Sequence, residues 1–347
     1  MTFNDEGPPN FVPPPPADPR ASRRRPPRSR LWIPVWLTAL SGIVVGGAHY
    51  LAVDPVYPLV VANMVLPWLA GAAIVGFAAS VFGRQGILIP FALLGALAAS
   101  WPVAQERLPK NATYPEGLPF RVVTANLYVG NTNHSGAIAS LLGANADVIC
   151  LQEVTHGWAV SLEAIDVTAA YPHQHVLPED SPFGIALLSR LPLANVEEYS
   201  LADLPQLRAT VDVEGTAVEV HCVHLMPPFT PDLYAVHHRG GDELLTMLAA
   251  RTVDAGPIVV AGDFNSTPYN ALHRQLTATL EDAWIAGEDG FGHTAPAKLL
   301  AIPPMRVDHV YVGAGARSMG GELLPGSGSD HYPVAIDLAI PRQMASP

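Results

Sequence analysis

Cysteine is scarce in this 347-residue chain: only Cys150 and Cys222 occur. No CxxC pair and no Cys/His spacing suited to zinc is present, which excludes a zinc-built module. Both cysteines fall in apolar strand candidates, where they read as small buried hydrophobes, and sequence leaves open whether they pair. Basic charge is outnumbered in the C-terminal two thirds. From residue 120 onward there are 25 Asp/Glu against 10 Lys/Arg, a net of −15. A protein that wraps a nucleic-acid backbone needs a basic face, so composition speaks against that class of partner, although a divalent cation can offset local acidity. Charge of either sign is nearly absent from residues 31–105, where only Asp54 and Arg84 carry any.

That uncharged stretch divides into three apolar runs, 31–53, 58–82 and 87–104. The first two have the length needed to span a bilayer and the third is near the lower limit. Six arginines crowd residues 20–30, Arg84 lies between the second and third runs, and residues 54–57 carry no Lys or Arg. The positive-inside rule then predicts a cytoplasmic N-terminus, three crossings and a large extracytoplasmic domain in a plasma-membrane protein. Residues 1–30, rich in Pro and Arg, read as a disordered tail. Residues 106–119 read as a linker and 120–340 as one globular domain.

In that domain short apolar runs alternate with helical stretches. Strands are expected at 121–127, 148–151, 184–189, 209–213, 217–224, 258–261, 307–312 and 333–338, and helices at 136–143, 233–253 and 269–277. Strands outnumber helices and arrive in pairs with tight turns such as Glu214-Gly215. This pattern predicts an α/β sandwich of mixed sheets, not a doubly wound parallel sheet.

Several apolar strands run out into polar side chains. RVVTANL (121–127) ends near Asn126, DVICLQEV (147–154) near Glu153, and VHCVHL (220–225) near His224. VVAGDFNSTP (259–268) carries Asp263 and Asn265 two apart, so an extended backbone points them the same way. RVDHV (306–310) carries Asp308, and GSDHYP (328–333) sets Asp330 beside His331. Hard oxygen donors at strand ends with an imidazole nearby suit metal-assisted attack on a phosphate. His309 and His221 alternate away from these groups. His237, His238, His273 and His293 read as surface histidines, and Arg190 as a structural residue or ion-pair partner.

These pieces, in this order, resemble the endonuclease/exonuclease/phosphatase superfamily over residues 120–338. The resemblance implies a DNase I-like, four-layer α/β sandwich of two mixed β-sheets flanked by helices, here preceded by three transmembrane helices. It implies Glu153 as the main Mg²⁺ or Mn²⁺ ligand, with Asp330 and Asn126 beside the metal. Asp263 would orient or deprotonate water, Asn265 would donate to a phosphate oxygen, and His331 would contact the scissile phosphate or act as a base, with Asp308 holding its other ring nitrogen. His224 resembles a histidine that some members use as an acid. The anchor-plus-domain plan is further similar to the actinobacterial VanJ-like group linked to teicoplanin resistance and to hydrolysis of lipid pyrophosphates. GHTAP (292–296) has Ala295 where members often carry an aromatic.

The expectation is a membrane-anchored, metal-dependent phosphoesterase acting on a lipid-linked phosphate outside the cell. An exported nuclease and a non-catalytic membrane-bound binding module are the alternatives. Oligomeric state is not legible.

Overall fold

The computed structural model describes residues 32–51, 56–106, 116–252, 255–284, 290–297 and 303–342. The expected tail, its arginine cluster and most of the expected linker lie outside the described residues.

The apolar region forms α1 (Ile33–Tyr50), α2 (Leu59–Met64), α3 (Leu66–Phe82) and α4 (Leu88–Gln105). The expected second span is therefore not one helix. It breaks at Val65, where Pro67 removes a backbone donor and restricts the residue before it. The helices α1 and α4 are long and apolar enough to cross a membrane, while α3 has 17 residues. Many buried positions of the bundle are small, among them Ala39, Gly42, Ala73, Gly76, Ala92, Gly95 and Ala99, beside larger ones such as Val35, Val45, Leu66 and Leu88. A Cβ on Gly42 would lie 2.5 Å from the Gly95 carbonyl oxygen, so α1 and α4 touch backbone to backbone. Leu37, Leu40, Val44, Ile74, Val75, Leu94 and Leu97 are exposed.

The remaining chain folds into two six-stranded mixed sheets. One runs β11 (Arg317–Leu323), β12 (Val334–Ile340), β1 (Leu118–Asn126), β2 (Val148–Gln152), β4 (Ile185–Ser189) and β3 (His173–Leu177). The other runs β5 (Leu193–Leu201), β6 (Leu204–Val213), β7 (Thr216–His224), β8 (Ile258–Asp263), β10 (Asp308–Gly313) and β9 (Glu281–Asp282). The pairs β1–β2 and β7–β8 are parallel, and the other pairings are antiparallel.

Side-chain alternation explains the layers. Phe120 and Val122 of β1 pack with Val148 and Cys150 against Val220, Cys222 and Val259 of the facing sheet. Val123 and Ala125 point the other way, against α5 (His134–Gly143), α6 (His156–Leu162) and α7 (Ile165–Ala170). Val223, Val260 and Tyr311 cover the opposite face with α8 (Pro231–Ala249) and α9 (Ala271–Leu276). The expected α/β sandwich of two mixed sheets flanked by helices is what forms. Cys150 and Cys222 meet in the central layer as free buried thiols, each beside the other.

All eight expected strands are present. The four not foreseen are β3, β5, β9 and β11. The polar strand β5 exposes most of its side chains at a sheet edge, so it lacks an apolar signature. The Glu214-Gly215 turn closes β6 onto β7 with both residues at positive φ, as a two-residue hairpin requires.

Two histidines read as surface groups are buried. His273 lies under β10, with Nδ1 2.9 Å from the Tyr311 hydroxyl. His237 sits on the inner face of α8 and donates from Nδ1 to the Met226 carbonyl at 2.7 Å. Burial lowers the His237 pKa to about 4. The unfolded chain then binds the proton first, and stability falls as pH drops from 6.5 towards 4, by roughly 3 kcal/mol in full. The thermal midpoint of the detergent-solubilised chain is expected to drop between pH 7 and pH 5, and to drop less in a His237→Gln variant. Equal drops in the two proteins would refute this.

Candidate active site

The site lies where the two sheets' parallel pairs run out on the same side. Strand β1 ends at Asn126, β2 hands over to Glu153, β7 ends at His224 and β8 at Asp263, while β10 begins at Asp308. Parallel β1–β2 and β7–β8 send their C-terminal ends the same way, and antiparallel β10 brings its N-terminus to Asp263, with Asp308 and Asp263 directly paired.

One amide joins the two halves. Asn126 Nδ2 donates to Glu153 Oε1 at 2.9 Å and to Asp263 Oδ2 at 3.1 Å. Its Oδ1 accepts from the Tyr128 amide at 2.9 Å, which fixes the orientation of the side chain. Glu153 Oε2 accepts from the Val129 amide at 2.7 Å. Glu153 itself has φ of 58°, a left-handed conformation that costs a non-glycine residue energy and that marks functional turns. Gly262 precedes Asp263 because a Cβ there would lie 1.8 Å from the Val223 carbonyl oxygen.

The second group is an ion pair. His331 Nδ1 donates to Asp308 Oδ2 at 2.8 Å, and its Nε2 lies 3.9 Å from Asp263 Oδ2. His224 Nε2 lies 3.7 Å from the same oxygen. Asn265 uses its backbone N–H on Asp263 Oδ1 at 2.8 Å and its side-chain amide on the Leu225 carbonyl at 2.9 Å. The second hydrogen of that amide remains for another acceptor. Asp330 is half-buried, and its charge acts on both Glu153 and His331. The structure thus gathers Asn126, Glu153, His224, Asp263, Asp308 and His331 around one point, with Asn265 and Asp330 on its border.

Electrostatics divide the two histidines. Burial opposes a charge on His331, but Asp308 and Asp263 outweigh it and push its pKa up to about 10. Burial lowers His224, and its Nδ1 finds no partner among the described residues. The two carboxylate neighbours of His331 thus favour a proton there, while burial disfavours one on His224. Burial pushes Asp263 up to about 6, with Asp308 adding to the rise. Burial also raises Glu153, against the hydrogen bonds from Val129 and Asn126.

This donor set suits a divalent cation. Four carboxylates share the site with one charged imidazole, and Oδ1 of Asp308 and of Asp330 are buried without a hydrogen-bond partner among the described residues. Asp263, Asp308 and His331 also bring one ligand atom each within 4.8 Å of one another. A protonated His331 cannot ligate, which favours the Glu153 side of the site.

Some supporting residues had no signal in sequence. Thr294 Oγ1 accepts from the Val307 and Asp308 amides at 3.1 and 3.2 Å and so fixes the start of β10. Ser329, inside the quoted GSDHYP segment, donates to the Asn126 carbonyl at 2.7 Å and accepts from the His331 amide. Gln206 brackets His224, donating to its carbonyl at 3.0 Å and accepting from its amide at 2.7 Å. His309, set aside by strand parity, does face away, donating from Nε2 to the Ser266 carbonyl at 2.8 Å. Arg190 pairs with the Asn145 carbonyl and the Tyr171 ring.

Solved structures share this fold. An endonuclease/exonuclease/phosphatase from Beutenbergia cavernae superposes with a TM-score of 0.53 at 22% identity, covering 65% of this chain and 72% of that one. TDP2 of D. rerio, solved with a single-strand DNA product, gives 0.53 at 16% identity, covering 63% and 98%. Sphingomyelinase C from Streptomyces griseocarneus gives 0.50 at 20% identity, covering 63% and 99%. A search of curated proteins finds no match. Residues 123–331 match the model of the Endonuclease/Exonuclease/phosphatase family, a span that runs from β1 through His331 and takes in every strand-end group described above; the chain belongs to that family.

Proposed function

We propose that this protein is a membrane-anchored, divalent-metal-dependent phosphoesterase that hydrolyses a phosphate ester or anhydride carried by a membrane lipid on the outer face of the membrane. The observation that carries the catalytic half is the single Asn126 amide shared by Glu153 and Asp263, next to the His331–Asp308 pair. A general base, a cationic donor and a cation-holding carboxylate stand within reach of one phosphorus atom.

Each residue has a part. Glu153 and Asp330 would hold Mg²⁺ or Mn²⁺, which would neutralise phosphate charge; Asn126, expected as a further ligand, turns its Nδ2 to Glu153 and so would orient that carboxylate. Asp263 takes the proton of the attacking water, and its raised pKa brings its basicity nearer to the working pH. Charged His331 donates to a phosphate oxygen while Asp308 holds its tautomer and orientation. Asn265 offers its remaining amide hydrogen, and His224 stands 3.7 Å from Asp263 Oδ2.

The bundle supports the membrane half. Its outside is apolar and much of its inside small, as packing in lipid favours. The Tyr50 end of α1, the Leu66 end of α3 and the Gln105 end of α4 all meet the catalytic sandwich. That arrangement fits three crossings with the N-terminus on the far side. A tethered site meets lipid substrates at a raised effective concentration and gains little for soluble ones. The domain is net acidic, which disfavours the DNA backbone.

The test is hydrolysis by the full chain in detergent micelles, read as inorganic phosphate released from lipid diphosphate and as phosphomonoester released from lipid phosphodiester, with Mg²⁺ and with a chelator. Metal-dependent release from lipid is expected. Plasmid nicking without lipid turnover would replace this reading with a nuclease, and activity that survives chelation would remove the metal.

A further inference from the structure

The helical bundle is joined to the sandwich at the two chain segments that carry the site. Residues 266–270 follow Asn265 directly. There the Asn270 side chain, buried, donates from Nδ2 to the Val60 carbonyl of α2 at 2.9 Å. Its Oδ1 accepts from the Thr267 amide and hydroxyl, both at 2.9 Å. His49 Nδ1 of α1 lies 3.0 Å from the Tyr269 carbonyl and 3.1 Å from Arg274 Nη1, which donates to that carbonyl at 2.9 Å, and Tyr269 packs with Val45, Leu66, Ala70 and Ala99 of the bundle. Residues 304–307 precede Asp308. Trp68 of α3 donates to the Pro304 carbonyl at 3.1 Å, and Met64 packs on Met305 and Val307. The two segments are tied to each other by the Phe264 amide, which donates to the Val307 carbonyl at 3.0 Å.

We infer that the bundle is a positioning element of the catalytic centre: it clamps the exit of β8 through Asn270 and Tyr269, and the entry of β10 through Met305 and Val307. Asn270 is the pivot, because one side chain both closes the loop after Asn265 and fastens it to α2. The segments held this way lie within a few residues of Asp263, Asn265 and Asp308. Reacting groups tolerate little displacement, since an error of about 1 Å can cost ~100-fold in rate. The catalytic consequence rests on the function proposed above; the clamp itself does not.

The experiment uses the full chain in detergent micelles, with bis(p-nitrophenyl) phosphate and Mg²⁺ as a soluble assay and amide hydrogen exchange as a second readout. Asn270→Asp keeps the acceptor for Thr267 but sets a carboxylate oxygen against the Val60 carbonyl. It is expected to lower kcat about tenfold or more with KM within about twofold, and to raise exchange across residues 264–270. His49→Leu, remote from the reacting atoms, is expected to act in the same direction and more weakly. Tyr57→Phe deletes the bond to the Phe229 carbonyl, a bundle contact away from both segments, and is expected to leave kcat and exchange unchanged. Wild-type kcat and wild-type protection in Asn270→Asp would overturn the inference, as would an equal loss in Tyr57→Phe. Should Asn270→Asp fail to fold, His49→Leu decides. A wild-type protein inactive on every phosphate tested would sink the proposed function, while exchange alone would still decide the clamp.

Discussion

An Asp263→Asn protein is expected to fold as the wild type does and to lose about 10³-fold in phosphoesterase kcat, within the usual ~10²–10⁴ range for removing a general base. The argument starts from burial. Asp263 is nearly inaccessible, and its ionised form is held at a cost that shows in a pKa pushed up to about 6. Replacing it with a neutral isostere removes that cost but sets an NH₂ against the Asn126 amide and His331, so the two effects oppose and the thermal midpoint should change little. The asparagine oxygen can still accept from the Asn265 amide, which keeps the turn after β8. What is lost is the basic oxygen facing His331, His224 and the Asn126 amide. The sign of the pH effect follows. In the wild type, activity should fall as pH drops through about 6, because protonation of Asp263 removes the base. The residual activity of the variant should lack that limb. Because Asp263 also helps raise His331, the variant's imidazole gives up its proton at lower pH, and an alkaline limb should move down. A variant with kcat within tenfold of the wild type, or with the acid limb intact, would strip Asp263 of its role.

The strand-end residues were readable because their logic is local. An apolar run that stops at Asn126, Glu153, His224 or Asp263 announces a polar tip on a buried support, whatever the rest of the chain does. The opposite facing of Asp308 and His309 follows from the pleat. Asn265 lies past the end of β8 at a φ of 47°, so a turn, not the expected extended backbone, sets it beside Asp263. What stayed hidden depends on partners far away in sequence. His273 and His237 sit on short or amphipathic helices, where a histidine reads as solvent-facing until its neighbours are known. His273 is buried by β10 and by Asp282, which belongs to a two-residue strand too short to leave a pattern. Asp282 is held well below the usual carboxylate range: its burial would raise it, but Arg306 at 2.8 Å outweighs that. Nothing in the segment around Arg306 hints that it enters a buried ion pair behind the site. The contact between the bundle and residues 266–270 was equally illegible, because it joins Val60 to Asn270 across 210 positions through a main-chain oxygen. Hydropathy did locate the apolar helices, but the break at Val65 needed the geometry around Pro67.

Glu153→Gln is expected to weaken Mn²⁺ binding to the full chain by about 100-fold, at or beyond the ~10–100-fold cost of losing a group that merely supports a ligand. Glu153 is the carboxylate whose surroundings are most committed. Its backbone takes a left-handed φ, Asn126 fixes one oxygen and the Val129 amide fixes the other. Glutamine can keep the oxygen that faces Asn126, but its NH₂ then meets the Val129 N–H, donor against donor, and the charge is gone. Asp330→Asn should cost less, about tenfold, because no described hydrogen bond fixes its Oδ1 as Asn126 and Val129 fix the two oxygens of Glu153. Calorimetric titration with Mn²⁺ reads both without any substrate. The same titration separates two ligand sets. If the cation belongs to Glu153, then Asp308→Asn leaves most of the affinity and removes activity, since Asp308 serves His331. If the cation instead belongs to Asp263, Asp308 and His331, whose ligand atoms also converge, then Asp308→Asn abolishes Mn²⁺ binding and Glu153→Gln spares it. That outcome would also require His331 to bind as a neutral imidazole, against the pKa of about 10 set by its two carboxylate neighbours. The charge already resting on His331 is the reason to expect the first result.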